Sequence, residues 1–145
     1  MDNTELSSCV RFERALAGAA AGSTALTGLT IDTQGAERVC FVLVLGDGTS
    51  TGTVVMKAQS DTDSAAGTMV DIAGATTATA TSDGTSTDNK LMILDIIKPT
   101  KRYVRVIVTR AVANHVVESV VAAVYCNRDE PVTQTNSLST VAAIC

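Results

Sequence analysis

Short apolar segments that alternate with polar residues recur along the whole chain, and this period of two is typical of β-strands. Glycines interrupt the Ala-rich residues 15–31, so the sequence favours no long helix there. Turns rich in Ser, Thr, Asp and Gly separate the apolar segments. The pattern predicts eight or nine strands, at residues 9–16, 26–31, 38–45, 52–59, 68–72, 76–81, 91–97, 101–109 and 115–125.

The apolar run RVCFVLVL at residues 38–45 is the best candidate for the core. A continuous apolar run is typical of a central strand covered on both faces, so Cys40 within it is expected to be a small core residue. The Gly-Asp-Gly sequence at residues 46–48 can supply the positive-φ positions of a tight turn. Residues 52–59 are therefore predicted to return as the hairpin partner of this strand.

Residues 98–125 are predicted to form a closing hairpin of two long strands joined by a turn near residues 113–114. Val104, Val106 and Val108 alternate with larger or polar residues, so the three valines should face inward.

The N-terminal part has a weaker pattern. Val10 and Phe12 should share one face of the strand at residues 9–16, and residues 26–31 should form one short strand. The small residues 17–22 between these strands are expected to be flexible.

Composition supports an all-β class. Hydrophobic residues make up 46% of the 145 residues, but aromatics only 3%, so Val, Ile, Leu, Ala and many Thr must build the structure. Such residues fit a pleated, half-buried surface. The chain is predicted to be an antiparallel β-sandwich or jelly roll with extended N- and C-terminal arms. The predicted limits are 1–8 for the N-terminal arm, 9–126 for the jelly-roll-like sandwich and 127–145 for the extended tail.

Charge and cysteine usage exclude several function classes. A net charge of −4 and a pI near 4.8 argue against general nucleic-acid binding, and the longest apolar stretches are too weak to predict a membrane span. A lipoprotein-like box at residues 6–9 follows two acids and no apolar stretch, so the match is attributed to chance. The expected compartment is therefore a reducing cytoplasm, in which thiols are favoured over disulfides. The four cysteines are Cys9, Cys40, Cys126 and Cys145, and they form no C-x-x-C motif.

No catalytic, cofactor-binding or metal-binding residues are predicted, and the chain is expected not to be an enzyme. The one histidine, His115, lies within a predicted strand and follows no nucleophile motif, so a structural role is favoured. Asp61 and Asp63 resemble the start of a calcium loop, but the later Gly and Glu of that loop are missing. A turn stabilised by the aspartates is the favoured interpretation.

A cluster of basic residues surrounds the start of the strand at residues 101–109. Two interpretations stay open: a solvated sheet surface, or an interface with an acidic protein partner. Only Tyr103 is available nearby for stacking, which disfavours a nucleic-acid groove. The cluster comprises Lys98, Lys101, Arg102, Arg105 and Arg110.

Four sequence pieces in this order resemble the small capsid decoration, or cement, proteins of tailed bacteriophages. They are VMKAQSDTDS at residues 55–64, DIAGA at 71–75, KRYVRV at 101–106 and the apolar strand at 116–125. The similarity covers residues 37–125. It implies a jelly-roll or related β-sandwich that binds the outside of an icosahedral shell as a homo-oligomer, a dimer or trimer, and bridges major capsid proteins. No catalytic residues are implied.

The function expected from this resemblance is that of a structural virion protein on the capsid exterior, assembled in the host cytoplasm. The partner would be the major capsid protein. Alternatives are another virion β-protein, such as a tail-tube or head-completion subunit, and a carbohydrate-binding β-sandwich, which the absence of Trp disfavours. The candidate interface residues are Arg11, Phe12, Lys101, Arg102, Tyr103, Arg105 and Tyr125.

Overall fold

The computed structural model describes residues 5–128 and 131–134, and almost all regular structure in this part is β-strand. One short helix, α1, precedes eleven strands. The elements are α1 (Leu6–Cys9), β1 (Arg11–Leu16), β2 (Ala19–Gly22), β3 (Leu26–Thr27), β4 (Ile31–Asp32), β5 (Ala36–Gly48), β6 (Thr53–Asp61), β7 (Val70–Thr76), β8 (Ala80–Thr81), β9 (Leu91–Ile97), β10 (Tyr103–Ala111) and β11 (His115–Asn127).

The strands form two antiparallel sheets. Sheet A has the order β1-β11-β5-β9, with β2 also paired to β11. Sheet B has the order β3-β10-β6-β7, with β4 paired to β10 and β8 paired to β6. The predicted all-β class and the two-sheet antiparallel sandwich are confirmed.

The core lies between the sheets and is built from alternate residues of the long strands. Sheet A contributes Phe41 and Leu43 from β5, and sheet B contributes Met56 from β6. Val104, Val106 and Val108 are fully buried, so the prediction that they face inward is confirmed. Because both sheets supply apolar side chains of modest size, the interior is filled without tryptophan.

Both predicted hairpins are wrong, although their strands exist. β5 pairs with β11 and β9, whereas β6 pairs with β10, β7 and β8. β10 and β11 likewise belong to different sheets. The chain therefore crosses from one sheet to the other at both turns. Residues 46–48 do not form the turn, because β5 continues through Gly48.

A buried polar cluster supports the crossing from β10 to β11. Arg110 is only 5% exposed, and its guanidinium donates hydrogen bonds to the backbone oxygens of Ala20, Thr24 and His115 at 2.7, 3.1 and 2.7 Å. The ring of His115 is fully buried, with Nε2 3.0 Å from Oγ1 of Thr87. These bonds satisfy carbonyl groups that the end of the sandwich would otherwise leave unpaired.

Details of the N-terminal part also differ from the prediction. Residue 9 belongs to α1, and β1 begins only at Arg11. Residues 17–22 were expected to be flexible but include β2, which pairs with β11. Residues 26–31 contain two short strands rather than one, because residues 28 and 29 bond to the backbone of both sheets instead of continuing a ladder.

The faces of two strands were also misassigned. Val10 is buried just before β1, whereas Phe12 is 39% exposed on the outside of sheet A. Cys40 points away from the core, because its neighbours Val39 and Phe41 fill the inner side of β5. The outer side of β5 is covered by no other layer of the described residues.

The predicted arms at 1–8 and 127–145 fall partly outside the described residues, and Cys145 lies outside them.

Candidate interaction surface

The outer face of sheet A is unusually apolar for a surface that another layer does not cover. In an antiparallel sandwich, outward side chains are normally polar. Here Leu91, Ile93 and Ile97 of β9 are 57%, 60% and 58% exposed. Cross-strand register sets Leu91 and Ile93 opposite Val44 and Val42 of β5, whereas Ile97 lies opposite Arg38. This apolar face comprises Phe12, Cys40, Val42, Val44, Leu91, Ile93, Ile97, Val121 and Ala123.

A polar group of Arg38, Asp95 and Tyr125 lies near one end of the apolar face, and Asp95 separates Ile93 from Ile97 along β9. The hydroxyl of Tyr125 donates a 2.6 Å hydrogen bond to Oδ2 of Asp95, and Cζ of Arg38 lies 5.9 Å from the centre of the Tyr125 ring. The bond to the Asp95 carboxylate and partial burial raise the pKa of Tyr125, and Arg38 opposes this rise. An apolar centre with polar groups at its margin is the usual anatomy of a protein interface.

Cys40 lies within the apolar face, next to Asp95 on the neighbouring strand. Burial raises the pKa of its thiol, and the negative charge of Asp95 raises it further. The thiol is therefore a poor nucleophile in this setting, because the thiolate is the reactive form. Its position suits a packing role rather than a chemical one.

The outer face of sheet B carries polar and charged side chains that bond to one another. Nζ of Lys57 lies 2.8 Å from Oδ2 of Asp71, and Nε2 of Gln59 donates a 2.6 Å bond to the same carboxylate. Arg105 donates to Oε1 of Gln59 at 2.9 Å. The hydrogen bonds from Lys57 and then Gln59 lower the pKa of Asp71. This face has the composition of an ordinary solvated sheet surface.

A second charged group lies at one end of the sandwich. Arg102 binds the Asp32 carboxylate through two bonds, of 2.8 and 2.6 Å, and these bonds lower the pKa of Asp32. Arg11 donates to the backbone oxygen of Asp32, and its Nε lies 2.7 Å from Oε1 of Glu13. An open cleft of about 380 Å³ lies beside Arg11 and Asp32. Because its charges neutralise one another, the cleft has little excess charge with which to attract an ion.

The seven candidate interface residues do not lie on one surface. Phe12 and Tyr125 lie on the outer face of sheet A, whereas Tyr103 and Arg105 lie on the outer face of sheet B. Arg11 and Arg102 lie at the end of the sandwich with Asp32. Lys101 is half-buried just before β10. The sequence could not separate these groups, because the assignment of β10 and β11 to different sheets decides which face each residue occupies.

Three exposed apolar residues of sheet A were missed as interface candidates. Leu91, Ile93 and Ile97 belong to LMILDII, which the sequence correctly predicts as a strand. A continuous apolar run indicates burial on both faces. The sequence therefore carried a signal, but it did not reveal that the outer side of this strand is left open.

The other predicted positions have structural roles. Asp61 accepts bonds from the backbone N–H groups of Thr62, Asp63 and Thr68, at 2.7, 3.3 and 3.1 Å, and from the Thr68 hydroxyl at 2.8 Å. These bonds, led by that of the hydroxyl, lower the pKa of Asp61. Within residues 5–128 and 131–134, no group of three or more His, Cys, Asp or Glu could hold a metal ion.

Comparisons with known proteins add no support to the resemblance to decoration proteins, which rests on the four sequence pieces alone. No protein-family model matches the chain, and a search of curated proteins also finds no match. Among the described residues, no helix has the length and apolar character needed to cross a membrane.

Proposed function

We propose that the chain is a structural virion protein that binds the outer surface of a tailed-phage capsid and cements neighbouring major capsid proteins. The apolar face of sheet A carries this proposal. The largest contiguous apolar patch on a monomeric protein is typically about 300–600 Å² and often has a function in binding. A face built on four strands is a broad, rigid platform for a protein partner.

The size of the face favours a partner that binds many copies. Four strands spaced about 4.8 Å apart and seven residues rising about 3.3 Å each cover roughly 440 Å². This is an upper limit for the apolar face, because Arg14, Arg38 and Asp95 occupy part of the same side. A standard interface buries about 800 Å² per partner. One face alone would therefore bind weakly, whereas many copies on a repeating shell would gain strength through valency.

The difference between the two outer faces supports an orientation on the shell. The apolar face would meet the capsid proteins, and the paired charges of sheet B would face solvent. Sheet B carries a Lys57–Asp71 pair and the Arg105–Gln59 bond. A polar outward surface would limit aggregation of decorated particles.

Addition of the purified protein to capsids that lack it tests the proposal. The protein should bind in a fixed number of copies per shell and raise the temperature at which the shells break. Failure to bind at protein concentrations well above those of the shell sites would contradict the proposal. Rings or tubes formed by the protein alone in negative-stain images would favour the tail-tube alternative.

A further inference from the structure

We propose that residues 131–134 form a latch that holds the N-terminal segment, residues 5–10, against the edge of β1. The latch and this segment open together while the two sheets stay folded. The inference deepens the proposed function and rests on it for its purpose, because an opened latch would free backbone groups for a neighbouring capsid subunit. The opening itself can be tested without any capsid.

Gln134 closes the latch by copying the bonds of a neighbouring strand. Its Oε1 accepts a 3.0 Å bond from the N–H of Phe12, and its Nε2 donates to the backbone oxygen of Val10. In a parallel ladder, a residue opposite Arg11 would bond to the same two groups. Nε2 also donates to the oxygen of Ser7 at 2.9 Å, so the amide uses its oxygen and both N–H groups. The side chain therefore takes the place of a strand at this edge of sheet A.

The N-terminal segment is attached through C-terminal residues. α1 has four residues, none of them buried, and its N-cap makes no side-chain bond. The N–H of Val132 donates to the oxygen of Ser8 at 2.8 Å, and Nδ2 of Asn127 donates to that of Cys9 at 2.9 Å. Within residues 5–10, only Val10 is buried. The N-terminal segment and the latch therefore hold each other mainly through hydrogen bonds.

The latch lies over open space rather than over the core. Pro131 and Thr133 are exposed, and Val132 and Gln134 are half-buried. Residues 131–133 line the open cleft of about 380 Å³ beside Arg11. A segment with few buried apolar contacts and solvent-accessible hydrogen bonds opens at a lower free energy than the core. The latch should therefore open before the sandwich unfolds.

The surrounding strands set a limit to the opening. β11 pairs with β5 as far as Asn127, which lies opposite Ala36. The N–H of Arg128 then donates to the oxygen of Gly35 at 2.8 Å. On the N-terminal side, β1 pairs with β11 from Arg11 onward. These strands can therefore stay in place while the latch and the N-terminal segment open.

Opening would release two backbone groups at the edge of sheet A. The oxygen of Val10 and the N–H of Phe12 would lose their bonds to Gln134. An extended segment of a neighbouring capsid subunit can bond to the same groups, because added strands bind through main-chain hydrogen bonds. A subunit that binds only the open state would shift the latch toward opening. The closed latch would meanwhile cover this edge in the free protein, which limits unwanted strand pairing.

Native-state hydrogen exchange of the full chain tests the opening. The reporter amides are those of Val10, Phe12 and Val132, whose N–H groups bond within the latch and the N-terminal segment. They should share one protection factor, roughly a hundredfold below that of amides in β5, which is paired on both sides. Protection as high as in β5 would overturn the inference, because the latch would open only with the whole fold. Absence of protection would also overturn it, because the latch would not close.

Gln134→Ala tests whether the parts of the latch open together. The variant removes all three side-chain bonds, so the amide of Phe12 should exchange at least tenfold faster. The amides of Val10 and Val132 should accelerate by the same factor, although they bond to other residues. Exchange within β5 should not change, which shows that the sandwich is intact.

Thr133→Ala is the matched control, because it shortens an exposed side chain of the latch. It should leave the exchange of Val10, Phe12 and Val132 unchanged. Acceleration of Phe12 alone in Gln134→Ala, or equal acceleration by the two variants, would contradict a latch closed by Gln134.

Capsid binding separates this inference from the proposed function. Gln134→Ala should bind undecorated capsids at least as tightly as Thr133→Ala, because its latch is already open. Weaker binding would contradict the use of the open latch on the shell. The expected exchange in a protein that ignores capsids would support the latch and contradict the capsid role. Capsid binding by a protein whose latch opens only on global unfolding would overturn the latch and leave the proposed function intact.

Discussion

Gly28 lies where the backbones of the two sheets come close together. A Cβ atom at this position would lie 2.8 Å from the oxygens of both Ala15 in sheet A and Val106 in sheet B. Backbone cannot move aside as a flexible side chain can. Only glycine therefore fits here without separating the sheets, even though its φ is not in the left-handed region.

Gly28→Ala should lower the free energy of unfolding by about 3 kcal/mol, because overpacking a tight site typically costs 1–3 kcal/mol. Urea unfolding measures the change. Gly67→Ala is the matched control, since a Cβ there meets no atom within 4 Å. The control should change stability by less than about 0.5 kcal/mol. Equal effects of the two substitutions would contradict the packing described at residue 28.

Asp83 provides a pH-dependent contribution to stability. Bonds from the backbone N–H groups of Ser86 and Thr85 lower the pKa of Asp83 from 3.8 to about 2. Between these values the unfolded chain binds more protons than the folded one, so stability falls as the pH falls. The contribution should be complete above pH 4 and lost near pH 2. NMR titration of Asp83 checks its pKa, and Asp83→Asn should remove this part of the pH dependence. A titration midpoint near 3.8 would contradict the loop geometry.

At the scale of elements, the alternation of apolar residues located most strands but not their partners. β9 and the inward valines of β10 follow directly from their patterns. A strand that pairs with the next strand of the chain shows an alternation of apolar and polar residues. A strand after which the chain crosses to the other sheet shows the same alternation. The turn residues did not decide between them, because a crossing depends on distant contacts such as those of Arg110 with β2 and β11.

Arg110→Met should lower the free energy of unfolding by about 3 kcal/mol, since it leaves buried carbonyl oxygens without donors at a cost of 1–3 kcal/mol each. Arg105→Met removes an arginine of the same strand whose one side-chain bond goes to Gln59 on the outer face. This control should cost about 0.5 kcal/mol. Thermal unfolding of both variants measures the difference. A larger loss for Arg105→Met would show that the buried cluster does not hold the crossing.

At the scale of the whole molecule, the two sheets differ in what their outer faces can do. The sequence could predict the apolar runs of β5 and β9, which indicated burial on both sides. It could not predict which side is left uncovered by the chain itself, since that depends on the stacking of sheet B. It also placed Phe12, Tyr103, Arg105 and Tyr125 in one interface set, whereas they occupy opposite faces.

Capsid binding by two matched variants tests the role of the apolar face most directly. Val121→Glu places a charge on the outer face of sheet A, between Val42 and Arg14 and away from β9. Thr109→Glu places the same charge on the exposed outer side of sheet B. Both variants should retain the unfolding temperature of the original protein within a few degrees. Val121→Glu should weaken binding to undecorated capsids at least tenfold, whereas Thr109→Glu should bind as the original protein does. Undiminished binding by Val121→Glu, or loss of binding only with Thr109→Glu, would contradict the account.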